Sequence, residues 1–117
     1  MIIAAAHKNT LLDILTALVN GGSIVVQTAG STTLATITLA NPAFGAAAAG
    51  VATAAGTLST TVATAGTMSK FIVKNSGGTE VWRGTCGLTG TGADLESSSL
   101  VLLVGEVFEL TGWTVSI

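Results

Sequence analysis

From Gly21-Gly22 onward the chain is a series of short β-branched runs cut apart by glycine-rich turns, and this pattern constrains the fold more than any other feature. Val, Ile and Thr suit a pleated, half-buried surface. Ile24 to Thr28 and Leu34 to Leu39 are two such runs, separated by Ala29-Gly30-Ser31. In the second, Ala35, Ile37 and Leu39 are expected to face one way and Leu34, Thr36 and Thr38 the other. Leu58, Thr60 and Val62 alternate with Thr57, Ser59 and Thr61 in a further candidate strand. The clearest hairpin runs from Met68 to Lys74, turns at Asn75-Ser76-Gly77-Gly78 and returns over Thr79 to Cys86. Ser99 to Val104 leads to a corner at Gly105-Glu106, and Val107 to Ile117 follows, broken at Gly112. Seven to eight short strands of this kind predict a mainly β chain, an antiparallel β-sandwich or jelly-roll-like domain over residues 23–117.

Residues 1–22 read as a lead-in and one short α-helix. Leu11, Leu12, Leu15, Leu18 and Val19 recur at three- and four-residue spacing and form one apolar stripe. Thr10 and Asp13 have the spacing of a capping box, and Asn20-Gly21-Gly22 supplies a helix stop, which places the helix at about residues 9–20. A helix this short survives only by docking its apolar face. The stretch Gly45 to Ala55 is almost wholly Ala, Gly, Val and Thr. We expect an extended segment there, whose small side chains either let two backbones approach closely or leave an arm flexible until it meets a partner, with a short helix as the alternative.

At 117 residues the chain is one ordinary domain, long enough to bury a self-supporting core. Only 9% of it is charged, against about a quarter in most soluble domains, so Thr, Ser, Asn and Gly must carry the surface. The net charge of -2 gives no electrostatic footprint for nucleic acid. The mean hydropathy of +0.74 comes from Ala, Val and Leu spread among Thr and Gly. No run approaches the ~20 apolar residues of a spanning helix, so no membrane partner is expected. The start, apolar and then basic at His7-Lys8, has the reverse order of a secretory signal. Cys86 is the lone cysteine and cannot form an internal disulfide, which is consistent with cytosolic synthesis.

Residues that could carry chemistry are few. His7 is the one histidine and has no neighbouring ligands for a metal site. Cys86, entering Gly87, reads as a small buried hydrophobe rather than a nucleophile. Gly87 to Gly92 lacks the spacing of a dinucleotide-binding loop and is expected to be a flexible inter-strand loop. Asp94 and Glu96 share a strand face, whereas Glu106 and Glu109 have odd spacing and face opposite sides, so no convergent acid pair is indicated. Lys70, Lys74 and Arg83 come together near Glu80 across the hairpin and suggest surface pairs or an interface rim. The expectation is a protein without catalytic, cofactor or metal residues. Trp82 and Trp113 are candidates for core or interface anchors.

Several segments resemble the small structural proteins of tailed bacteriophages and prophages. They are Leu34-Ala-Thr-Ile-Thr-Leu-Ala-Asn41-Pro42-Ala43-Phe44-Gly45 with Gly50-Val51-Ala52-Thr53-Ala54, the hairpin Phe71 to Val81, Gly90 to Leu95, Ser99 to Val107 and the closing Trp113 to Ile117. The resemblance spans roughly residues 34–117 and rests on Gly, Thr and apolar patterns; the family's usual longer opening segment is shorter here. It implies a non-enzymatic virion component. Within that class it implies a minor capsid or decoration (cement) protein on the outside of the capsid, made in the bacterial cytoplasm and bound to the major capsid protein. Copies of the chain itself are also implied partners, in a symmetric homo-oligomer with a trimer among the options. Leu11, Leu15 and Leu18 of the helix, Phe44 and Val51 around the Ala/Gly segment, and Trp82 and Trp113 are the candidate interface residues. A tail, head–tail joining or fibre-associated subunit is the other virion role. A receptor- or carbohydrate-binding module is a separate class, against which two Trp and no Tyr weigh.

Overall fold

The computed structural model of the chain describes residues 1–110 and 112–117. Its helix, α1 (Ala5–Ala17), starts at Ala5 rather than near residue 9. Ala4 stands at the N-cap with no side-chain hydrogen bond. Thr10 lies inside the helix, its hydroxyl donating to the Ala6 carbonyl, so the Thr10–Asp13 capping box does not form. Alanine has the highest helix propensity, and Ala5 and Ala6 extend the helix without a cap. The chain leaves α1 through a turn in which Gly21 takes φ +68°, the left-handed conformation that glycine adopts cheaply. The five-residue stripe divides: Leu12 and Val19 are fully buried, Leu15 is half-buried, and Leu11 and Leu18 are exposed. Thr16 takes a buried place beside Leu12, its hydroxyl satisfied by the Leu12 carbonyl at 3.0 Å.

The rest is mainly β. Strands make up 42% and helix 11% of the chain. The strands are β1 (Ser23–Gln27), β2 (Thr33–Thr38), β3 (Val51–Thr53), β4 (Leu58–Thr61), β5 (Gly66–Thr67), β6 (Lys70–Lys74), β7 (Glu80–Leu88), β8 (Leu95–Ser97), β9 (Val101–Leu102), β10 (Val107–Leu110) and β11 (Thr114–Ser116). The main sheet curls and has the order β2-β1-β6-β7-β8. The pairs β10–β4, β11–β3 and β5–β9 are short and antiparallel. The strands outnumber the seven to eight expected because the glycine-punctuated runs change partners every few residues. Ser99 to Val104 contributes only two residues to a ladder, and the break at Gly112, φ +63°, separates β10 from β11.

Three local features position the surface. Between β1 and β2 the register shifts, Val26 facing Ala35 and Gln27 facing Thr33, so Leu34 is an extra residue. This bulge turns Leu34 inward, and Leu34 and Ala35 are both buried instead of facing opposite ways. The β7–β8 pair is parallel, with Cys86 opposite Leu95. Parallel pairs usually need a connection of a dozen or more residues. Here three residues pair, so the loop has only a short strand to retrace. That loop is tied: the Glu96 carboxylate accepts from the Gly90 and Gly92 N–H groups at 3.1 and 2.8 Å. The flexible loop expected at Gly87–Gly92 is therefore a clipped one. In the third feature, the β6–β7 ladder sets Gly84 opposite Phe71, and a Cβ at Gly84 would lie 2.6 Å from the Phe71 ring.

The Ala/Gly stretch is not a free arm and contains no helix. It folds back on itself through bridges Phe44–Ala54 and Ala48–Val51, and β3 then pairs with β11. Side chains of the helical region hold it down. Asn9 Oδ1 accepts from the Gly50 N–H at 2.9 Å, Asp13 Oδ1 from Ala47 at 2.7 Å, and Asn20 Oδ1 from Ala43 at 2.8 Å. Asn9 and Asp13 lie four residues apart and share a helix face. A segment with almost no polar side chains still carries backbone donors that need acceptors, and this face supplies them. One core cluster joins Leu12 and Val19 to buried residues of the main sheet and of the short pairs.

Candidate functional site

The seven candidate interface residues do not form one surface. Leu11, Leu18 and Val51 are exposed, and Leu15 packs partly against the core. Phe44 is buried, a correction to its place among the interface candidates, and of the two roles open to Trp113, core or interface anchor, burial gives it the core one. They belong to an aromatic cluster: Trp113 lies 5.8 Å from Phe44 and meets Phe71 edge-on at 5.5 Å, while Trp82 lies 6.3 Å from Phe44. Such pairs add stability beyond area burial. Of the five aromatic side chains, Trp82 is the one that stays half-buried.

Two exposed apolar regions stand out. On α1, Leu11, Ile14 and Leu18 face away from the core, preceded by exposed Met1 and Ile2. At the corner between β9 and β10, Val101, Leu103, Val104 and Val107 are 57%, 59%, 66% and 69% exposed. The corner is rigidly built: Gly105 N–H donates to the Val62 carbonyl, Glu106 N–H to the Leu103 carbonyl, and the Glu106 carboxylate accepts from the Leu103 N–H. The residues fall in the most apolar window of the chain, but a run of consecutive apolar residues does not say which of them turn outward. Leu102 between them is buried.

The polar candidates have structural partners. The Asp94 carboxylate accepts from the Thr85 N–H at 3.0 Å. Glu96 closes the loop before β8, and Glu106 closes the apolar corner. Arg83 grips Glu80 with two hydrogen bonds of 2.8 and 3.0 Å, which raises its pKa. Both groups are largely exposed, so the pair adds little stability. Lys70 donates to the Ser31 hydroxyl instead of joining that pair. His7 is exposed. Burial, then the neighbouring Asp94 charge, pushes the Cys86 thiol up to about 11, the opposite of what a nucleophile needs. Among the described residues no cluster of three His, Cys, Asp or Glu side chains gathers as a metal site, and no helix is long and apolar enough to cross a membrane. Comparisons with family models, with curated proteins and with solved structures find no match to this chain.

Proposed function

We propose that this protein is a non-enzymatic structural subunit of a tailed-bacteriophage virion, a minor capsid or decoration protein that binds the outside of the major capsid protein lattice and stabilises it. The observation that carries this reading is the rigid corner of exposed Val101, Leu103, Val104 and Val107, on a chain with only four cations and six acids. Exposed apolar side chains gathered at one corner favour burial against another protein. Each apolar Å² removed from water contributes roughly 25 cal/mol, much of it offset by the cost of ordering. A shell repeats each contact many times, so modest patches suffice. The exposed face of α1 offers a second contact, to the lattice or to another copy of the chain.

The test is the copy number of the protein in purified virions, by quantitative mass spectrometry against the major capsid protein. A ratio near one per capsid subunit, or a simple fraction of it, is expected. A handful of copies would transfer the protein to the tail or the head–tail junction. Absence from virions would overturn the reading.

A further inference from the structure

Strand β7 and the C-terminal strand β11 border a cleft of about 480 Å³ that also contacts Ala93 and Asp94. Two strand edges meet it with backbone groups unused. In the β6–β7 ladder the Cys86 N–H points to β6, bonding the Ser69 carbonyl, while the Thr85 N–H points the other way, to Asp94. Strand alternation therefore turns the Arg83 N–H and C=O away from β6 as well. On β11 the Trp113 carbonyl and the Ile117 N–H bond the β3 side. Thr114 and Ser116 thus direct their backbone groups to the opposite edge, where β11 has no strand neighbour among the described residues. Between these edges lie half-buried Trp82 and Val115, over the buried rings of Phe71 and Trp113.

Carboxylates gather at one end of the cleft, where Asp94 lies. A second cleft of about 510 Å³ adjoins the first through Ala93, Asp94, Trp113 and Thr114, and brings Glu96 and Glu109 to its lining. The cation at the cleft, Arg83, is already held by Glu80. Unused strand edges call for an extended backbone, half-buried Trp82 and Val115 for apolar side chains, and the carboxylates of Asp94, Glu96 and Glu109, which no cation pairs among the described residues, for cations at that end. We infer that the cleft between β7 and β11 binds an extended peptide segment of a partner protein, rich in lysine or arginine alternating with apolar residues, which adds as a strand beside Arg83 and Thr114. This inference does not depend on the virion reading.

The experiment is an NMR titration of the full chain with a capped alternating Lys-Val heptapeptide, its Glu-Val counterpart and cellotriose. The Lys-Val peptide is expected to shift the amides of Arg83, Thr114 and Ser116, slow their hydrogen exchange, and bind more weakly as salt rises. The double variant Asp94→Asn, Glu109→Gln is expected to weaken it by about tenfold. Asparagine can still accept the Thr85 hydrogen bond, so the fold is retained. Thr114→Pro removes an N–H that no ladder uses and should abolish binding while the melting temperature holds. Equal binding of the Glu-Val peptide, shifts confined to other surfaces, or no binding by either peptide would overturn the inference. Shifts at Trp82 with cellotriose in place of the peptide would overturn it in favour of a saccharide site.

Discussion

Cys86 carries the chain's one thiol, and its place on β7 sets what that thiol can do. Burial and then the Asp94 carboxylate disfavour the thiolate and raise the pKa to about 11 from a usual value of 9.0. At pH 8 the native protein should hold about a hundredfold less thiolate than the unfolded chain. Alkylation by iodoacetamide is expected to be slower in buffer than in urea by a similar factor, and equal rates would contradict this environment. The sign for stability follows. The folded state keeps the proton to higher pH, so the contribution is complete below about pH 9 and is lost as pH rises towards about 11. Melting temperatures measured across that range should fall less in Cys86→Ala than in the parent. Gly84 is under a different constraint. Phe71 sits over it and is itself braced by Trp113, so the ring cannot retreat from an added methyl. Gly84→Ala is expected to cost about 1–3 kcal/mol of stability, read from denaturant midpoints.

At the scale of elements, what the sequence makes legible is what is local. The hairpin of β6 and β7 follows from its own alternation and its Asn75–Gly78 turn, where Asn75 Oδ1 accepts from the Gly77 and Thr79 N–H groups. The alternation of β4 also holds, Leu58 and Val62 buried and Ser59 and Thr61 exposed. The conformation of the Ala/Gly segment was not legible, because its partners on α1 are 34 and 41 residues away in the chain. The spacing of Thr10 and Asp13 suits a cap, whereas the Asp13 carboxylate serves a distant backbone. The bulge at Leu34 is local, between Val26–Gln27 and Thr33–Ala35, yet strict alternation carries no mark of it. Asp13→Ala should therefore destabilise the protein by about 0.5–1.5 kcal/mol and speed hydrogen exchange at Ala47. Unchanged exchange there would mean that the helix does not hold the segment.

For the molecule as a whole, the pattern of β-branched runs and glycine turns foretold a mainly β chain with one N-terminal helix, and that is the fold. The candidate site was less legible. Periodicity marks Leu100 to Val104 as apolar but not as outward-facing, and it cannot show that Phe44 and Trp113 meet in the core. Substitution at the exposed corner separates surface from stability. Leu103→Asp or Val104→Asp should change the stability by no more than about 0.5 kcal/mol, yet reduce the protein's occupancy on purified capsids. Retained occupancy in both variants would remove this corner from the capsid contact.

The ties from α1 to Ala47 and Gly50 bear on the order of assembly during folding. The helix has 13 residues, too few to persist alone in water. Leu12 and Val19 need a core that is complete only when Trp113 arrives. Although α1 precedes every strand of this chain, it is thus among the last elements to be secured, and such long-range closure slows folding. In pulse-labelling hydrogen exchange, amides of α1 should gain protection together with those of β3 and β11. Earlier protection of the helix would show that it forms by itself.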